Sequence, residues 1–259
     1  MPAFDGHMIA SILGVALLGG IIGLDRTAAG QFMISQPIVA GPLTGWLLGD
    51  VTAGVVIGAT LELIWVLDLP VGSFVPADAT TCTVSSTAIA ALGAPAGAEL
   101  PLIGFSILLT SLMVPATMKA DGLVRSANFR SADKVMAASG PDLGRALTRA
   151  QLRGLVNFFL KSALLCCLFI PLGLAFVGVF RRLPGFAQEA MSLFVKLLPL
   201  LGVAAIVRKL SVMTVDRFVL TGFAVSALAG LLVHTPAPVV LLLAAAAGWI
   251  GAVYRERRT

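Results

Sequence analysis

Residues 36–87 read QPIVAGPLTGWLLGDVTAGVVIGATLELIWVLDLPVGSFVPADATTCTVSST, and this stretch decides the fold class. It is apolar and glycine-rich, yet it carries carboxylates at Asp50, Glu62, Asp68 and Asp78. A charge at the centre of a bilayer costs at least about 2.5–3.5 kcal/mol. An acidic group kept in such a run therefore needs a reason, usually a polar path or a ligand site between helices. The run is interrupted at Pro37, Gly49 and Pro70, and the 37–49 piece also contains Pro42. Broken helix ends survive in hydrocarbon only where protein or a cavity satisfies them. Short, interrupted apolar segments of this kind point to a transporter binding site. The expected architecture is an all-α polytopic membrane protein, with discontinuous or re-entrant helices around 36–80.

Composition agrees. The chain has 259 residues, 58% of them hydrophobic and 12% charged, with a mean hydropathy of +0.98. Soluble domains are nearer a quarter charged, so most of this surface must meet lipid or protein. Apolar segments fall at about 8–24, 37–49, 51–68, 74–93, 99–118, 155–180, 193–207, 216–234 and 236–254. The N-terminus does not resemble a cleaved leader, because Asp5 and His7 stand where a basic region would be. The net charge of +5 argues for no nucleic-acid partner, since the basic residues cluster at segment ends and in one polar stretch. Cys82, Cys166 and Cys167 have no metal-ligand spacing, and His7 and His234 lie near segment ends. No phosphate loop and no HExxH are present, so the chain has no visible means of hydrolysing ATP or carrying phosphate. No cofactor is expected.

The polar stretch 119–153 holds Lys119, Arg125, Arg130, Lys134, Arg145, Arg149 and Arg153 against Asp121, Asp133 and Asp142. Its basic excess places it in the cytoplasm, along with the tail from Tyr254 to Thr259. It is either a solvated connector or a docking face for a cytoplasmic partner. Four apolar segments between the two make these placements consistent, but Arg181 and Arg182 then fall outside, against the rule. The expected division is a membrane half at 1–118 with the probable site, a basic cytoplasmic loop at 119–154, and a second membrane half at 155–259 ending in a cytoplasmic tail.

Within the membrane, Glu62 and Trp65 stand three residues apart, on neighbouring positions of one helix face. A carboxylate beside an indole suits a sugar: one takes hydroxyl donors and the other covers the C–H face. The competing reading is a structural carboxylate satisfied by Thr60 or by backbone donors. Asp78, after Pro76, is either an N-cap or a ligand contact. Asp50 suits a cap for a helix starting at Val51, and Asp68, before Pro70, an interfacial turn. Gln31 and Gln36 enter the broken region as hydrogen-bonding groups, Gln36 being the better placed. Asp25 and Arg26 end the first segment and are expected to pair there. Lys196 is the expected buried cation of the second half, pairing with an acidic residue or snorkelling outward. Gly41, Gly45 and Gly49, with Gly54 and Gly58, form the small-xxx-small spacing of close helix packing.

The blocks LGD-xxx-G-xxIGAxLE and G-xxx-P-x-D resemble the membrane subunit IIC of the mannose/fructose/sorbose class of the bacterial phosphoenolpyruvate-dependent sugar phosphotransferase system (PTS). DG-xxxx-AN at 121–128 and LLPLLG-x-A at 197–204 resemble it more loosely. The resemblance implies a hexose-type sugar substrate, a second membrane subunit IID, and a higher-order assembly with it in the inner membrane. It also implies cytoplasmic IIA and IIB phosphocarriers, with IIB phosphorylating the delivered sugar, so that this permease subunit is not an enzyme on its own. Glu62, Asp78 and Gln36 fall on the family's polar positions. The chain departs from the pattern at 35–37 and 65–68, which leaves the sugar unassigned. The expected substrate-binding set is Glu62, Asp78, Gln36, Trp65 and Asp68. An ion-coupled secondary transporter using the same carboxylates, or a non-transporting scaffold, are the alternative readings.

Overall fold

The computed structural model describes residues 5–65, 75–94, 96–136 and 143–212, with Lys134 and 206–212 described as backbone. All regular structure among them is helical: α1 (Gly6–Asp25), α2 (Pro37–Leu48), α3 (Val51–Trp65), α4 (Ala79–Gly93), α5 (Leu100–Leu112), α6 (Val114–Met136), α7 (Leu143–Phe180) and α8 (Gly185–Val212). The chain divides into one compact unit, Met1–Leu200, and a second, Leu201–Thr259, of which only the end of α8 is described.

Among the described residues three helices are long and apolar enough to cross a bilayer: Gly6–Asp25, Leu143–Phe180 and Gly185–Ala205. The pair Leu100–Leu112 and Val114–Asp133, bent by 44°, supplies a fourth. In contrast, α2 and α3 have 12 and 15 residues. At 1.5 Å per residue they reach about 18 and 22 Å, short of the roughly 30 Å of hydrocarbon. The broken character read from 36–80 is therefore present as a short helical hairpin followed by the equally short α4.

That hairpin is closed by backbone-to-backbone packing. A Cβ on Gly41 would run into the Gly54 carbonyl, one on Gly54 into the Gly41 carbonyl, and one on Gly58 into the Pro37 carbonyl. Only hydrogen at these positions lets the axes come so near. The turn itself uses Gly49 at φ +83°, a left-handed position that glycine takes without steric cost. Asp50 then caps α3, as its position predicts, by accepting from Ala53 N at 2.9 Å. Its other oxygen accepts from Ala98 N at 2.8 Å.

Helix α4 is the post of the unit. Fourteen of its fifteen residues are buried, and it packs on α1, α2, α3, α5 and α7. Its face is small and hydroxyl-rich rather than bulky, which permits five neighbours. Several of the hydroxyls are satisfied within the unit: Thr83 Oγ1 donates to Ala79 O at 2.7 Å, and Ser86 Oγ lies 3.0 Å from Ser106 Oγ. Exposed apolar residues elsewhere form stripes such as Ile9, Leu13, Leu17 and Ile21 on α1, the face a membrane helix turns to lipid.

Two expectations are corrected. The stretch 119–154 is not a loop in its described parts, because α6 runs on to Met136 and α7 starts at Leu143. With 38 residues, α7 is about 57 Å long, so its polar start stands out beyond the hydrocarbon as half of a helical hairpin. Helix-favouring Ala, Leu, Arg and Gln fill it. Lys196 is exposed on α8, so the buried pairing is the reading corrected and the outward one stands. The tail and His234 lie outside the described residues.

Replacing Gly54 by Val is expected to cost about 1–3 kcal/mol through overpacking against the Gly41 carbonyl. Gly14, whose added Cβ would meet only the Leu47 side chain at 4.0 Å, is the control. Gly14→Ala should leave the thermal midpoint in lipid nanodiscs unchanged or higher, and Gly54→Val should lower it.

Candidate functional site

Four carboxylates mark the broken ends of the helices, and each accepts backbone N–H groups there. Asp25, 7% exposed, closes the loop that follows α1 by accepting from Phe32 N at 2.6 Å and Ser35 N at 3.0 Å. Within that loop Gly30, Gln31 and Met33 take positive φ of 87°, 57° and 67°. Gln31 is exposed, so this strained loop presents its amide to the outside. Asp50 serves the α2–α3 turn as described. Asp78 is the N-cap of α4, accepting from Thr81 N at 3.1 Å and Thr81 Oγ1 at 2.8 Å. Glu62, near the end of α3, reaches back to the start of α2 and accepts from Ile38 N at 3.3 Å. The N–H groups of a first helical turn have no partner within the helix, and in hydrocarbon water cannot supply one.

Asp78 does more than cap. Its Oδ1 faces Arg26 Nη1 at 3.2 Å and its Oδ2 faces Lys161 Nζ at 2.8 Å. Lys161 turns equally to Asp121 Oδ1 at 3.1 Å, and Asp121 Oδ2 holds Arg125 Nε at 2.6 Å. The side chains of Asp78 and Lys161 are 5% and 6% exposed. Five charges from α6, α7, the end of α1 and the start of α4 thus form one network, buried at Asp78 and Lys161 and open to the surface at Arg125. Both oxygens of Asp78 carry two donors each, which fills the four acceptor positions of a carboxylate.

This network corrects the expected pairing of Asp25 with Arg26. Adjacent residues on a helix point about 100° apart. Asp25 therefore turns to the loop, while Arg26 crosses to Asp78 and also donates to Ala77 O at 2.5 Å. Lys161 went unread in the sequence, although a lysine among Phe158, Phe159, Leu160 and Ala163 is itself the signal of a buried partner.

Gln36 and Glu62 meet at the N-terminal end of α2. Gln36 is its N-cap residue, and its side chain makes no capping bond. Half-buried like Glu62, it keeps its amide available among the described residues. Ser35, one residue earlier, accepts from Thr80 Oγ1 at 2.7 Å, which ties this end of α2 to the start of α4 and hence to Asp78. Trp65 is half-buried and packs against the cluster containing Ile57, Leu61, Ile103 and Val195. Asp68 lies outside the described residues. No group of three or more His, Cys, Asp or Glu is arranged to hold a metal among them.

At the opposite end of α4, Arg181 donates to the Gly93 carbonyl. The arginine that broke the charge rule is thus engaged by a buried helix C-terminus. On the hairpin side, Lys119, Arg130, Arg145, Arg149 and Arg153 are exposed. A groove of about 410 Å³ runs between α6 and α7, lined by Ala132, Val135, Leu147, Gly154 and Phe158 among others.

A family model described as the PTS system sorbose-specific IIC component matches residues 9–250. The sorbose-specific EIIC component of Klebsiella pneumoniae is 26% identical over 200 residues, 72% of this chain and 75% of that protein. A candidate N-acetylgalactosamine permease IIC component 2 of Escherichia coli K12 is 33% identical over 90 residues, 35% of this chain and 60% of that protein. The mannose-specific EIIC component of the same strain is 30% identical over 93 residues, 34% of this chain and 35% of that protein. The matched stretches thus span 60% and 35% of these two relatives' lengths. Among solved structures, one titled as a membrane protein superposes with a TM-score of 0.69 at 19% identity, covering 98% of this chain and 96% of that one. The mannose transporter ManYZ in complex with microcin E492 gives 0.52 at 20% identity, with the same coverage. At such identities the likeness shows the fold.

Removing Asp78 leaves Arg26 without its carboxylate, leaves the buried Lys161 with Asp121 alone, and uncaps a helix. Asp78→Ala is expected to cost about 3–5 kcal/mol. Asp5, which caps α1 from an exposed position by accepting from Met8 N, should cost only about 1 kcal/mol as alanine. Thermal unfolding of the two variants in nanodiscs checks the difference.

Proposed function

The chain belongs to the family of sorbose-specific IIC components of the phosphotransferase system, and on that footing we propose that it binds a hexose-type sugar and carries it across the bacterial inner membrane. The sugar is phosphorylated on arrival by a cytoplasmic IIB partner, itself charged by IIA. A IID subunit completes the membrane assembly and contributes part of the pocket. This chain performs no phosphoryl transfer of its own; it binds, orients and delivers.

One observation carries the site: of the four carboxylates at these helix breaks, Glu62 has the most acceptor capacity to spare. Asp25 and Asp50 each accept two backbone N–H groups, and Asp78 accepts four donors. Glu62 accepts one, from Ile38 N, and beside it stands the uncommitted amide of Gln36. A carboxylate and an amide at one helix end offer acceptors and donors together, as a polyol needs. Trp65, one turn beyond Glu62, covers the apolar sugar face with the part of its ring left open, and Asp68 joins this set on sequence grounds. Asp78 supports the set from the start of α4. In the ion-coupled alternative, Asp78 would bind a proton or sodium ion, but two resident cations already hold it. The exposed basic face of the α6–α7 hairpin is the docking face for IIB.

Glu62→Gln is expected to abolish sugar uptake while the protein stays folded and assembled with IID. Uptake of labelled sugar beside a size-exclusion profile decides this, and normal uptake in a well-expressed variant would remove Glu62 from the site. Reversing two hairpin charges, Arg149→Glu with Arg153→Glu, should slow association of purified IIB about 10-fold at low salt. Raising the ionic strength should shrink that difference.

A further inference from the structure

The charge network and the proposed sugar site share no side chain except Asp78, yet an unbroken series of bonds joins them. It starts on α6, where Asp121 Oδ1 accepts from Lys161 Nζ. The same ammonium donates to Asp78 Oδ2 at 2.8 Å, and Asp78 fixes the first turn of α4 through Thr81 N. From that turn Thr80 Oγ1 donates to Ser35 O. Ser35 precedes Gln36, and two residues after Gln36 the N–H of Ile38 donates to Glu62.

We propose that Lys161 is a positioning residue of the sugar site: by joining Asp78 to Asp121 it sets the place of Gln36 and Glu62 relative to the α6–α7 hairpin. The inference rests on the reading of Gln36 and Glu62 as sugar ligands, and it names what aligns them. Lys161 suits the task because its compact ammonium spends two of its three donors on carboxylates from different elements. Arg26, the other cation on Asp78, spends its donors on Asp78 and the adjacent Ala77 carbonyl. It therefore ties α1 to one short segment and reaches no hairpin residue. Because Asp78 has its acceptor positions filled, it acts by where it holds α4. Thus a shift of the hairpin when a soluble partner docks is passed to the end of α2 through Lys161.

The decisive variant is Asp121→Asn, which keeps volume, leaves the Asp78–Lys161 and Asp78–Arg26 pairs in place, and removes only the charge on the hairpin side. Hydrogen–deuterium exchange on the full chain in nanodiscs should then rise about 3-fold or more at the amides of Gln36, Ile38, Val39 and Ala40 and at Thr81. The amide of Ala53, held by Asp50 in the α2–α3 turn, should stay as it was. In cells carrying the partner subunits, the KM for sugar should rise about 5-fold with a smaller change in maximal rate. Lys161→Arg keeps the charge and guards against simple misfolding: it should show the same two effects in weaker form. Unchanged exchange at Gln36, Ile38, Val39 and Ala40, or an unchanged KM, overturns the proposal. Glu62→Gln separates the two readings: if that variant transports normally the site assignment fails, while the exchange measurement still decides the coupling.

Discussion

Lys161 and Arg26 converge on the buried Asp78, and that meeting ties together the helices that surround α4 on its charged side. Neither cation nor carboxylate is affordable alone at such burial. The three side chains come from the end of α1, the start of α4 and the middle of α7, so satisfying them fixes three elements at one level. Asp121 and Arg125 extend the constraint to α6. Lys161 and Arg26 offset one carboxylate, and Asp121 then offsets the surplus from Lys161. Loss of any inner member leaves a charge with nowhere to go.

The second constraint is the backbone. Helices too short to cross the hydrocarbon expose N–H groups at depth, and four of the breaks among the described residues have a carboxylate bonded to them. Asp25 serves the loop before α2, Glu62 the start of α2, Asp50 the start of α3 and Asp78 the start of α4. Glycine makes the arrangement compact, because Gly41, Gly54 and Gly58 let α2 and α3 touch through main chain, which keeps Glu62 of α3 within reach of Ile38 N in α2. The acidic residues and the glycines are thus two parts of one solution to an interrupted fold.

Much of this was legible in the sequence. Helix breaks at Pro37 and Gly49 bounded the short α2, the four-residue glycine spacing marked the close pair, and Asp50 read correctly as a cap, because all three are local features. The network was not legible, since Arg26, Asp78, Asp121 and Lys161 are separated by 40 to 83 positions along the chain where they pair across elements. Proximity in sequence suggested Asp25 for Arg26, and helix geometry forbade it. The hairpin at 119–154 was hidden for a different reason: its polar composition resembles a loop, and only helix propensity without an apolar stripe distinguishes it. Glu62 and Gln36 were legible as polar groups entering a broken region, but which carboxylate had acceptor capacity left depended on partners from other elements.

The charges at the two ends of α4 account for why such a polar-faced helix can stand fully enclosed. Aligned peptide dipoles leave about half a positive charge at its start and half a negative charge at its end. An exposed helix lets water screen both, whereas α4 has fourteen of fifteen residues buried. Asp78 stands at the start and Arg181, on the Gly93 carbonyl, at the end, each of the sign the dipole favours. Arg181 therefore sits at the end of α7 opposite the basic hairpin for a reason internal to the fold, which explains its departure from the loop-charge rule. The same dipole argument applies to α2, whose first turn faces Glu62, but α2 has no cation at its far end, where Gly49 and Asp50 close the turn. The first turn of α2 is held by one oxygen of Glu62, whereas that of α4 is held by both oxygens of Asp78.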